Sequence, residues 1–555
     1  MKNISGMKKL TILLYIFFCM LFTGYTGFSQ QACWVFFTDK NNTSFDPYTY
    51  FDAYAIERRV KNNLSLYDTT DFPLTSSYVR KVTALSEEVI GETRWFNALA
   101  VFATTENIVK IQSFPFVKEI IPIQTNLTLC SYREMQMGES IPVITDEFDD
   151  NLKQLPPQDQ VSRMDGNVFI KNNIDGQGIR IAVFDAGFSQ VNTHVTLEHL
   201  RKNNSIVKTW NFCNKKEDVY GYNSHGRMVL SCIAGIKDTQ KLGLATGAEF
   251  LLAKTEINLE IYKEEVWWMM AAEWADKNGA HIINSSLGYG GDRYQLFDMN
   301  GKSTLVTRAA NMAASKGILV VNSAGNEGTK TRWNYSIIAP ADADSILTVG
   351  GISPNDTRVN FSSRGPTADG RLKPNVVAYG HATVAQANNH TGVAAGTSFS
   401  SPLIAGFAAC AWQTNRNLNN MQLKTEIEHS ADLYPYFDYD HGYGVPQASY
   451  FFDGKTATDT NIVCIVETDD TIQVFIDPAI DKEFKEKKRY PNQNYIYYHI
   501  QNEKGGLIKY LVLSPSANEK QNNDKYMVAQ IEKQELKQGY ILRIYYNGIV
   551  KEYSK

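Results

Sequence analysis

Short apolar runs alternate with helix-like stretches through the middle of the chain, from residue 166 to about residue 450. The runs carry few polar positions, which is the pattern of strands buried on both faces of a parallel sheet. Helices are predicted between them at 262–278 and 303–316. This alternation predicts an α/β domain with a doubly wound parallel sheet. The predicted strands are 179–184, 250–254, 281–284, 318–322 and 346–349.

The pattern changes on both sides of this domain. Residues 32–123 mix strand-like and helix-like segments, which predicts a small α+β domain. The strands are predicted at 34–37, 93–104 and 117–123, and the helices at 76–85 and 105–113. Residues 124–165 are polar, contain an acidic run and predict a linker. Residues 455–555 predict an antiparallel β-domain, with strands at 471–476, 495–500, 507–513, 526–531 and 540–546 and a hairpin turn at Asn547-Gly548.

The N-terminus has the layout of a secretory signal peptide over residues 1–29. Lys2, Lys8 and Lys9 precede an apolar run at 10–22, and small and polar residues follow it. Cleavage is predicted near Gln30, which makes the mature protein secreted: extracellular, periplasmic or at the cell surface. A short N-terminal anchor is the alternative. No later apolar run is long enough to cross a bilayer, so no membrane span is expected in the mature chain.

Composition narrows the range of partners. The chain has 55 basic and 59 acidic residues, a net charge of −4, which gives no support to a nucleic-acid partner. The cysteines have no metal-ligand spacing, so no metal site is predicted. Cys232 and Cys410 lie in small-residue apolar runs and are expected to be buried free thiols.

Asp185 and His225 are polar residues at places where α/β proteins build sites. Asp185 follows the strand 179–184, at the carboxyl end of the sheet. A strand-end aspartate also commonly caps the next turn. His225 precedes a helix-like run, where a histidine by itself is more often structural. Each residue becomes informative only in combination with others.

Asn326 and Ser398 complete the combination. Asn326 follows a predicted strand in the run NSAGNEG, as the left-handed residue of a turn or as an amide donor to an oxyanion. Ser398 lies in the run GTSFSSP, just before a predicted helix whose N-terminus would surround it with N–H groups. Pro402 is interpreted as a residue of the helix start, where a missing N–H costs little. A serine nucleophile needs an imidazole base, a carboxylate to orient that base, and donors for the oxyanion.

The order Asp185, His225, Asn326, Ser398 resembles the subtilisin-like serine protease (subtilase) family over residues 166–450. The resemblance implies a triad of Asp185, His225 and Ser398, with Asn326 and the backbone N–H of Ser398 as oxyanion donors. It also implies that the substrate backbone pairs with an extended strand formed by Ser286, Leu287 and Gly288. The implied function is endopeptidase cleavage of a polypeptide substrate through an acyl-enzyme, with no cofactor required.

Residues 32–123 are similar, more loosely, to the inhibitory propeptide of subtilases. This implies that the chain binds its own propeptide in cis, with cleavage within 124–165. A permanent accessory domain is the alternative. Many subtilases bind structural calcium, but no acidic loop here has a calcium spacing, so no calcium site is assigned.

The sequence departs from the family pattern beside the triad. Ala186 replaces the usual serine or threonine, which predicts the loss of a local hydrogen bond. Arg227 replaces the usual threonine, and it is expected either to project outward or to alter the rim of the site. A non-catalytic subtilase-fold binding protein at the cell surface is the alternative from another class, and the intact set of site residues argues against it. A processing protease dedicated to one partner is a narrower alternative.

Overall fold

The structure is a computed structural model. It describes residues 30–123, 159–221, 223–257, 262–291, 293–334, 336–453, 463–476, 495–513, 526–546 and 548–555. The predicted signal segment and most of the predicted linker lie outside these residues. The chain divides into two compact units, Met1–Ser44 with Thr69–Thr125, and Phe45–Asp68 with Asn126–Lys555.

The helices and strands are numbered in chain order. The strands are β1 Gln30–Phe37, β2 Glu88–Thr93, β3 Ala98–Thr104, β4 Val117–Pro122, β5 Arg180–Asp185, β6 Ile206–Asn211, β7 Ile236–Lys237, β8 Gln240–Lys241, β9 Glu249–Lys254, β10 Ile282–Ser285, β11 Leu319–Ser323, β12 Leu347–Ile352, β13 Val376–Tyr379, β14 His381–Ala385, β15 Thr391–Ala395, β16 Val463–Glu467, β17 Thr471–Ile476, β18 Ile496–Gln501, β19 Leu507–Leu513, β20 Tyr526–Glu532, β21 Ile541–Tyr546 and β22 Ile549–Ser554. The helices are α1 Pro47–Tyr50, α2 Ala53–Lys61, α3 Ser76–Thr83, α4 Thr105–Gln112, α5 Asp159–Ser162, α6 Gly166–Lys171, α7 Glu198–Lys202, α8 His225–Ala234, α9 Lys263–Lys277, α10 Leu305–Ser315, α11 Thr397–Thr414, α12 Asn420–Ser430 and α13 Tyr450–Asp453.

The N-terminal unit is a four-stranded antiparallel sheet in the order β2-β3-β1-β4, with α3 and α4. The predicted single strand at 93–104 is wrong, because the chain reverses there between β2 and β3. Asn97 takes a positive φ of 52° in this turn, a conformation that asparagine tolerates. Its side-chain amide donates to the carbonyls of Phe37 and Asp39 at 3.1 and 2.9 Å, and these bonds hold the turn against β1.

The larger unit is built on a parallel sheet of seven strands in the order β13-β12-β11-β10-β5-β9-β6. Every residue of β5 and β12 is buried, as expected for strands covered on both faces. The predicted doubly wound fold is therefore confirmed. Strands β5 and β10 are neighbours, and the chain builds outward from them in opposite directions. Such a switch point opens a crevice at the carboxyl ends of the strands.

Residues 45–68 belong to this larger unit, although they lie between strands of the smaller one in the sequence. Helix α2 carries Arg58 and Arg59, both buried, and both guanidinium groups pair with the buried carboxylate of Asp276. Arg58 also donates to the carbonyl of Lys316, which lies just after α10. A cation suits the carbonyl groups at a helix C-terminus. The hydrophobic pattern predicted neither α1 nor α2; in α2, buried arginines take the place of an apolar face.

The C-terminal residues form two antiparallel sheets, β16-β17-β20 and β19-β18-β21-β22. One core joins the two sheets, with Val474 on one and Ile500 and Ile544 on the other. The predicted antiparallel β-domain is confirmed. Strands β21 and β22 pair with Tyr546 opposite Ile549, which agrees with a tight turn. Asn547 of the predicted turn lies outside the described residues.

Aromatic packing joins these sheets to residues 433–443. Tyr436 stacks on His499 with ring centroids 4.9 Å apart and packs against Tyr497. Arg543 donates to the carbonyl of Pro435 at 3.1 Å. Buried aromatic pairs contribute beyond the area that they bury. These contacts attach the C-terminal sheets to the end of the parallel-sheet domain.

Because of His441, we expect the packing around residues 433–443 to lose stability as pH rises. Burial opposes the charge on His441, but the carboxylate of Asp438, 2.9 Å from Nδ1, outweighs it and raises the pKa of His441 to about 8. Asp440 and Asp356 act in the same direction. A raised histidine pKa stabilises the fold below the ordinary value of 6.5, and that stabilisation is lost as pH rises through about 8. Since each pKa unit is worth ~1.4 kcal/mol, we expect the free energy of unfolding to fall by about 2 kcal/mol between pH 6.5 and pH 9.

Urea unfolding at a series of pH values measures this loss. A His441→Gln variant should be less stable at pH 6.5 and should have a flatter profile across the same interval. Parallel profiles for the two proteins would show that His441 does not carry the effect.

Candidate active site

The structure brings the predicted site residues to the carboxyl edge of the parallel sheet. Asp185 is the last residue of β5, and Ser286 directly follows β10. Asn326 lies in the loop after β11. His225 begins α8 and Ser398 is the second residue of α11. These positions surround the switch point between β5 and β10, where the fold opens its crevice.

Asp185 and His225 form a buried pair. The two carboxylate oxygens lie 2.8 and 3.0 Å from Nδ1 of His225, and the two side chains are 0% and 3% exposed. A proton on Nδ1, donated to the carboxylate, leaves Nε2 as the basic nitrogen of the ring. The ring centre of His225 lies 5.6 Å from that of Phe399, the neighbour of Ser398. The imidazole is therefore oriented and stands beside the start of α11.

Backbone groups hold this pair in place. The N–H of His225 donates to Oδ1 of Asn223 at 2.7 Å, which satisfies a helix-start N–H that lacks an internal partner. The N–H of Ala186 donates to Oδ1 of Asp185 at 2.7 Å. Alanine at position 186 supplies no hydroxyl, yet its own backbone supplies the carboxylate with a local hydrogen bond.

Ser286 and Ser398 are joined by reciprocal hydrogen bonds. The hydroxyl of Ser398 donates to the carbonyl of Ser286 at 3.2 Å, and the hydroxyl of Ser286 donates to the carbonyl of Ser398 at 2.9 Å. The amide of Asn284 donates to the Ser286 hydroxyl at 3.2 Å, and Ser401 donates to Asn284 at 3.0 Å. The first turn of α11 is thereby fastened to the end of β10. The sequence patterns did not predict this role of the Ser286 side chain.

Pro402 explains why the carbonyl of Ser398 is available to accept the hydrogen bond from the Ser286 hydroxyl. Pro402 lies in the second turn of α11, beyond the N–H groups that a helix start leaves unpaired, so the interpretation of Pro402 as a helix-start residue is wrong. An N–H at this position would bond to the carbonyl four residues earlier, which is that of Ser398. Proline has no N–H to offer. The carbonyl of Ser398 instead accepts the hydroxyl of Ser286.

Asn326 has a defined orientation. Its Oδ1 accepts from the backbone N–H of Thr397 at 3.0 Å and from the Thr397 hydroxyl at 2.9 Å. A backbone N–H can only donate, so the oxygen of the amide must face Thr397. The Asn326 amide is thereby fixed against the residue that precedes Ser398, and its NH₂ group is the end left to donate to a bound oxygen.

Residues 286–288 connect the end of β10 to Tyr289. The Leu287 carbonyl accepts from Nδ2 of Asn322 at 3.1 Å, toward β11, whereas the Ser286 carbonyl points to Ser398. In an extended segment backbone groups alternate between the two edges, and the opposite directions of these two carbonyls agree with that arrangement. Tyr289 then pairs with Ala339 in both directions, at 2.6 and 3.0 Å, and this pair fixes the far end.

One of the two expectations for Arg227, that its side chain projects outward, is wrong. The side chain is 2% exposed. Its guanidinium group donates to the carbonyls of Ala385 and Ser189 at 3.1 and 2.7 Å. Burial lowers the pKa of Arg227 to about 10. The residue joins the loop after β5 to strand β14 behind His225.

Within the described residues, no group of three or more histidine, cysteine, aspartate or glutamate side chains is arranged to hold a metal ion. Among the described helices, none is long and apolar enough to cross a membrane. The unassigned calcium site therefore stays unassigned.

Comparison with models of known protein families identifies the family of this chain. The model of the subtilase family matches residues 176–445, the region that contains the parallel sheet and the site. This chain belongs to the subtilase family. A second model, the peptidase S8 propeptide domain of Bacteroidota, matches residues 32–137. The chain is thus a serine-type endopeptidase with an N-terminal propeptide domain, as the resemblance implied.

Individual subtilases are similar over the same region. Subtilisin BL from Lederbergia lenta is 29% identical over 275 residues, which are 49% of this chain and 90% of that protein. M-protease from Shouchella clausii (strain KSM-K16) is 29% identical over 275 residues, 49% of this chain and 63% of that protein. Subtilisin DY from Bacillus licheniformis is 28% identical over 257 residues, 46% of this chain and 84% of that protein. About half of this chain therefore lies outside these alignments.

Proposed function

We propose that this subtilase is secreted and hydrolyses polypeptides through an acyl-enzyme, with Ser398 as nucleophile, His225 as base and Asp185 as the group that orients the base. The observation that carries the proposal is the buried pair of Asp185 and His225 beside the first turn of α11, where Ser398 lies. A carboxylate, an imidazole and a serine hydroxyl in this order make up the machinery of serine hydrolases.

The chemistry begins with a change of partner for the Ser398 hydroxyl. Its proton, donated to the Ser286 carbonyl in the free protein, is donated to Nε2 of His225 when the side chain rotates. Oγ attacks the carbonyl carbon of the scissile bond as Nε2 takes the proton. His225 then gives that proton to the leaving amine, the C–N bond breaks, and an ester on Ser398 remains. Water, activated by His225, hydrolyses the ester and restores Ser398.

The substrate enters as an extended strand along residues 286–288. The edge formed by Ser286 and Gly288 faces the site, because the Leu287 carbonyl is already bonded to Asn322. An N–H of the substrate takes over the Ser286 carbonyl as the Ser398 hydroxyl leaves it. Binding of substrate and activation of the nucleophile are coupled through this one carbonyl oxygen.

The N-terminal region sets when the site acts. The charged and apolar pattern of residues 1–29 supports export. The propeptide domain at 32–137 supports inhibition in cis, followed by cleavage within 124–165. The order of events is then export, cleavage and release of the site.

Active-site labelling tests the assignment of Ser398. Processed protein treated with a fluorophosphonate should be modified once, and mass spectrometry should place the adduct on Ser398. His225→Ala protein should label much more slowly, because the hydroxyl loses its base. Absence of labelling in processed protein would favour a non-catalytic binding protein instead.

Removal of the Asn326 side-chain amide is expected to slow the chemical step without a comparable loss of substrate binding. Asn326→Leu keeps the size of the side chain but removes the amide that stabilises the oxyanion. We expect kcat to fall by about 10²–10³-fold with KM nearly unchanged, a magnitude known from a subtilisin.

Thr397→Val is the matched control for this prediction. It removes one of the two hydrogen bonds to Asn326 Oδ1 and leaves the backbone one, so its effect on kcat should be much smaller. A rise in KM with kcat preserved in Asn326→Leu would contradict the oxyanion role.

A further inference from the structure

The side chain of Ile338 fills a space between two backbone segments that flank the site. A Cβ built on Gly288 would lie 2.5 Å from Cδ1 of Ile338, and one built on Gly290 would lie 2.6 Å from its Cγ2. A Cβ on Gly325, across the gap, would lie 2.8 Å from its Cγ1. Ile338 therefore packs directly on backbone from both sides, and it is 8% exposed.

This space adjoins the position of the reacting carbonyl. The Ser286 carbonyl lies 3.2 Å from Oγ of Ser398, and Gly288 is two residues further along the same edge. Gly325 directly precedes Asn326, whose amide stands against the first turn of α11. A substrate residue whose carbonyl carbon meets Ser398, and whose oxygen meets Asn326, directs its side chain between these two segments. That residue, on the amino side of the cleaved bond, is called P1.

Ile338 is held where it is. Its N–H faces the Ala324 carbonyl at 3.4 Å, and its own carbonyl accepts from Ala341 at 2.8 Å. The next residue, Ala339, pairs with Tyr289 in both directions. Trp333 donates from its indole to the carbonyl of Ile337 at 3.2 Å. A β-branched side chain on a backbone fixed in this way has little rotamer freedom with which to move aside.

We propose that Ile338 limits the size of the P1 side chain, so that this enzyme cleaves after alanine, glycine or serine in preference to leucine or phenylalanine. The inference rests on the proposed function, since it uses Ser398 and Asn326 to locate the reacting carbonyl. The glycines at 288 and 325 leave room for one side chain between the segments, and Ile338 occupies it. A large P1 side chain would need the same volume.

The test measures kcat/KM for matched peptides that differ only at P1, alanine against phenylalanine. The wild-type protein should prefer alanine. Ile338→Val, Ile338→Ala and Ile338→Gly should shift the ratio progressively toward phenylalanine, by at least about tenfold for Ile338→Ala, since even one methylene in an apolar pocket is worth about 10–200-fold. Ile338→Val is the least disruptive of the three and keeps the series interpretable if the smallest side chain destabilises the fold.

The matched control is Ile427→Ala, a fully buried isoleucine on α12. It should lower stability and leave the P1 ratio unchanged. A wild-type preference for phenylalanine, or an unchanged ratio across the Ile338 series in protein that labels at Ser398, would overturn this inference and leave the proposed function standing. Absence of both labelling and hydrolysis for every peptide would overturn the proposed function and this inference with it.

Discussion

Ser398→Ala is expected to lower kcat by about 10⁶-fold while the protein still folds and binds substrate, a magnitude carried over from a subtilisin. The change removes one oxygen from a buried helix start. The reciprocal bond from the Ser286 hydroxyl to the carbonyl of residue 398 is kept, because it uses only backbone at that position. Asn326 and the substrate-binding edge also remain, so about 10³–10⁴-fold catalysis over the uncatalysed reaction should persist.

The helix supplies its own controls for this prediction. Ser400 and Ser401 are also buried in α11, and their hydroxyls donate to the carbonyl of Tyr379 and to Asn284. Ser400→Ala and Ser401→Ala each lose one buried hydrogen bond and should keep kcat within a small factor of wild type. Steady-state kinetics on one peptide substrate compares all three variants. An activity above about 1% of wild type in Ser398→Ala protein would exclude it as the nucleophile.

Asp185→Asn is expected to lower kcat by about 10⁴-fold with the fold unchanged. The N–H of Ala186 donates to Oδ1, so the oxygen of the new amide should stay on that side. Its NH₂ group then replaces Oδ2, so that one of the two oxygens facing Nδ1 of His225, at 2.8 and 3.0 Å, becomes a donor. A donor there favours the tautomer with the proton on Nε2, which can no longer accept a proton from Ser398. The negative charge that stabilises the imidazolium is lost as well.

Asp218→Asn is the control for this second variant. Asp218 accepts from the N–H of Tyr220 at 2.9 Å in the loop before α8. Its amide variant should keep full kcat. The decisive measurement is kcat together with the labelling rate at Ser398, since both depend on the basicity of Nε2. If Asp185→Asn labelled at the wild-type rate, the proposed role of Asp185 would be wrong.

The sequence alone predicted most of the elements of the parallel sheet. Strands buried on both faces must be continuous apolar runs, and such runs are visible without a structure. Thus the predicted strands at 250–254 and 318–322 correspond to β9 and β11. Two other elements were missed for different reasons. Helix α2 was not predicted because it buries arginines rather than apolar residues. Strands β2 and β3 were predicted as one strand because the turn between them is too short to interrupt an apolar run.

For the site, too, one part could be predicted from the sequence and another could not. Asp185, His225, Asn326 and Ser398 could be predicted from the sequence because their order and the short runs around them together resemble those of subtilases. The hydrogen bonds that position them could not be named. Ser286 and Ser398 are 112 residues apart, and Arg59 and Asp276 are 217 apart, so no local pattern links them. Nor could the consequence of Pro402 be predicted, since it depends on which side chain replaces the missing N–H.

The sequence by itself determined the family, the order of the site residues and the alternation of strands and helices. These properties are written in residues close together along the chain. Only the tertiary structure decided that residues 45–68 pack within the larger unit, that the Ser286 carbonyl holds the Ser398 hydroxyl, and that Ile338 fills the space between Gly288 and Gly325. Each of these depends on contacts between segments far apart in sequence, and such contacts exist only once the sheet has brought those segments together.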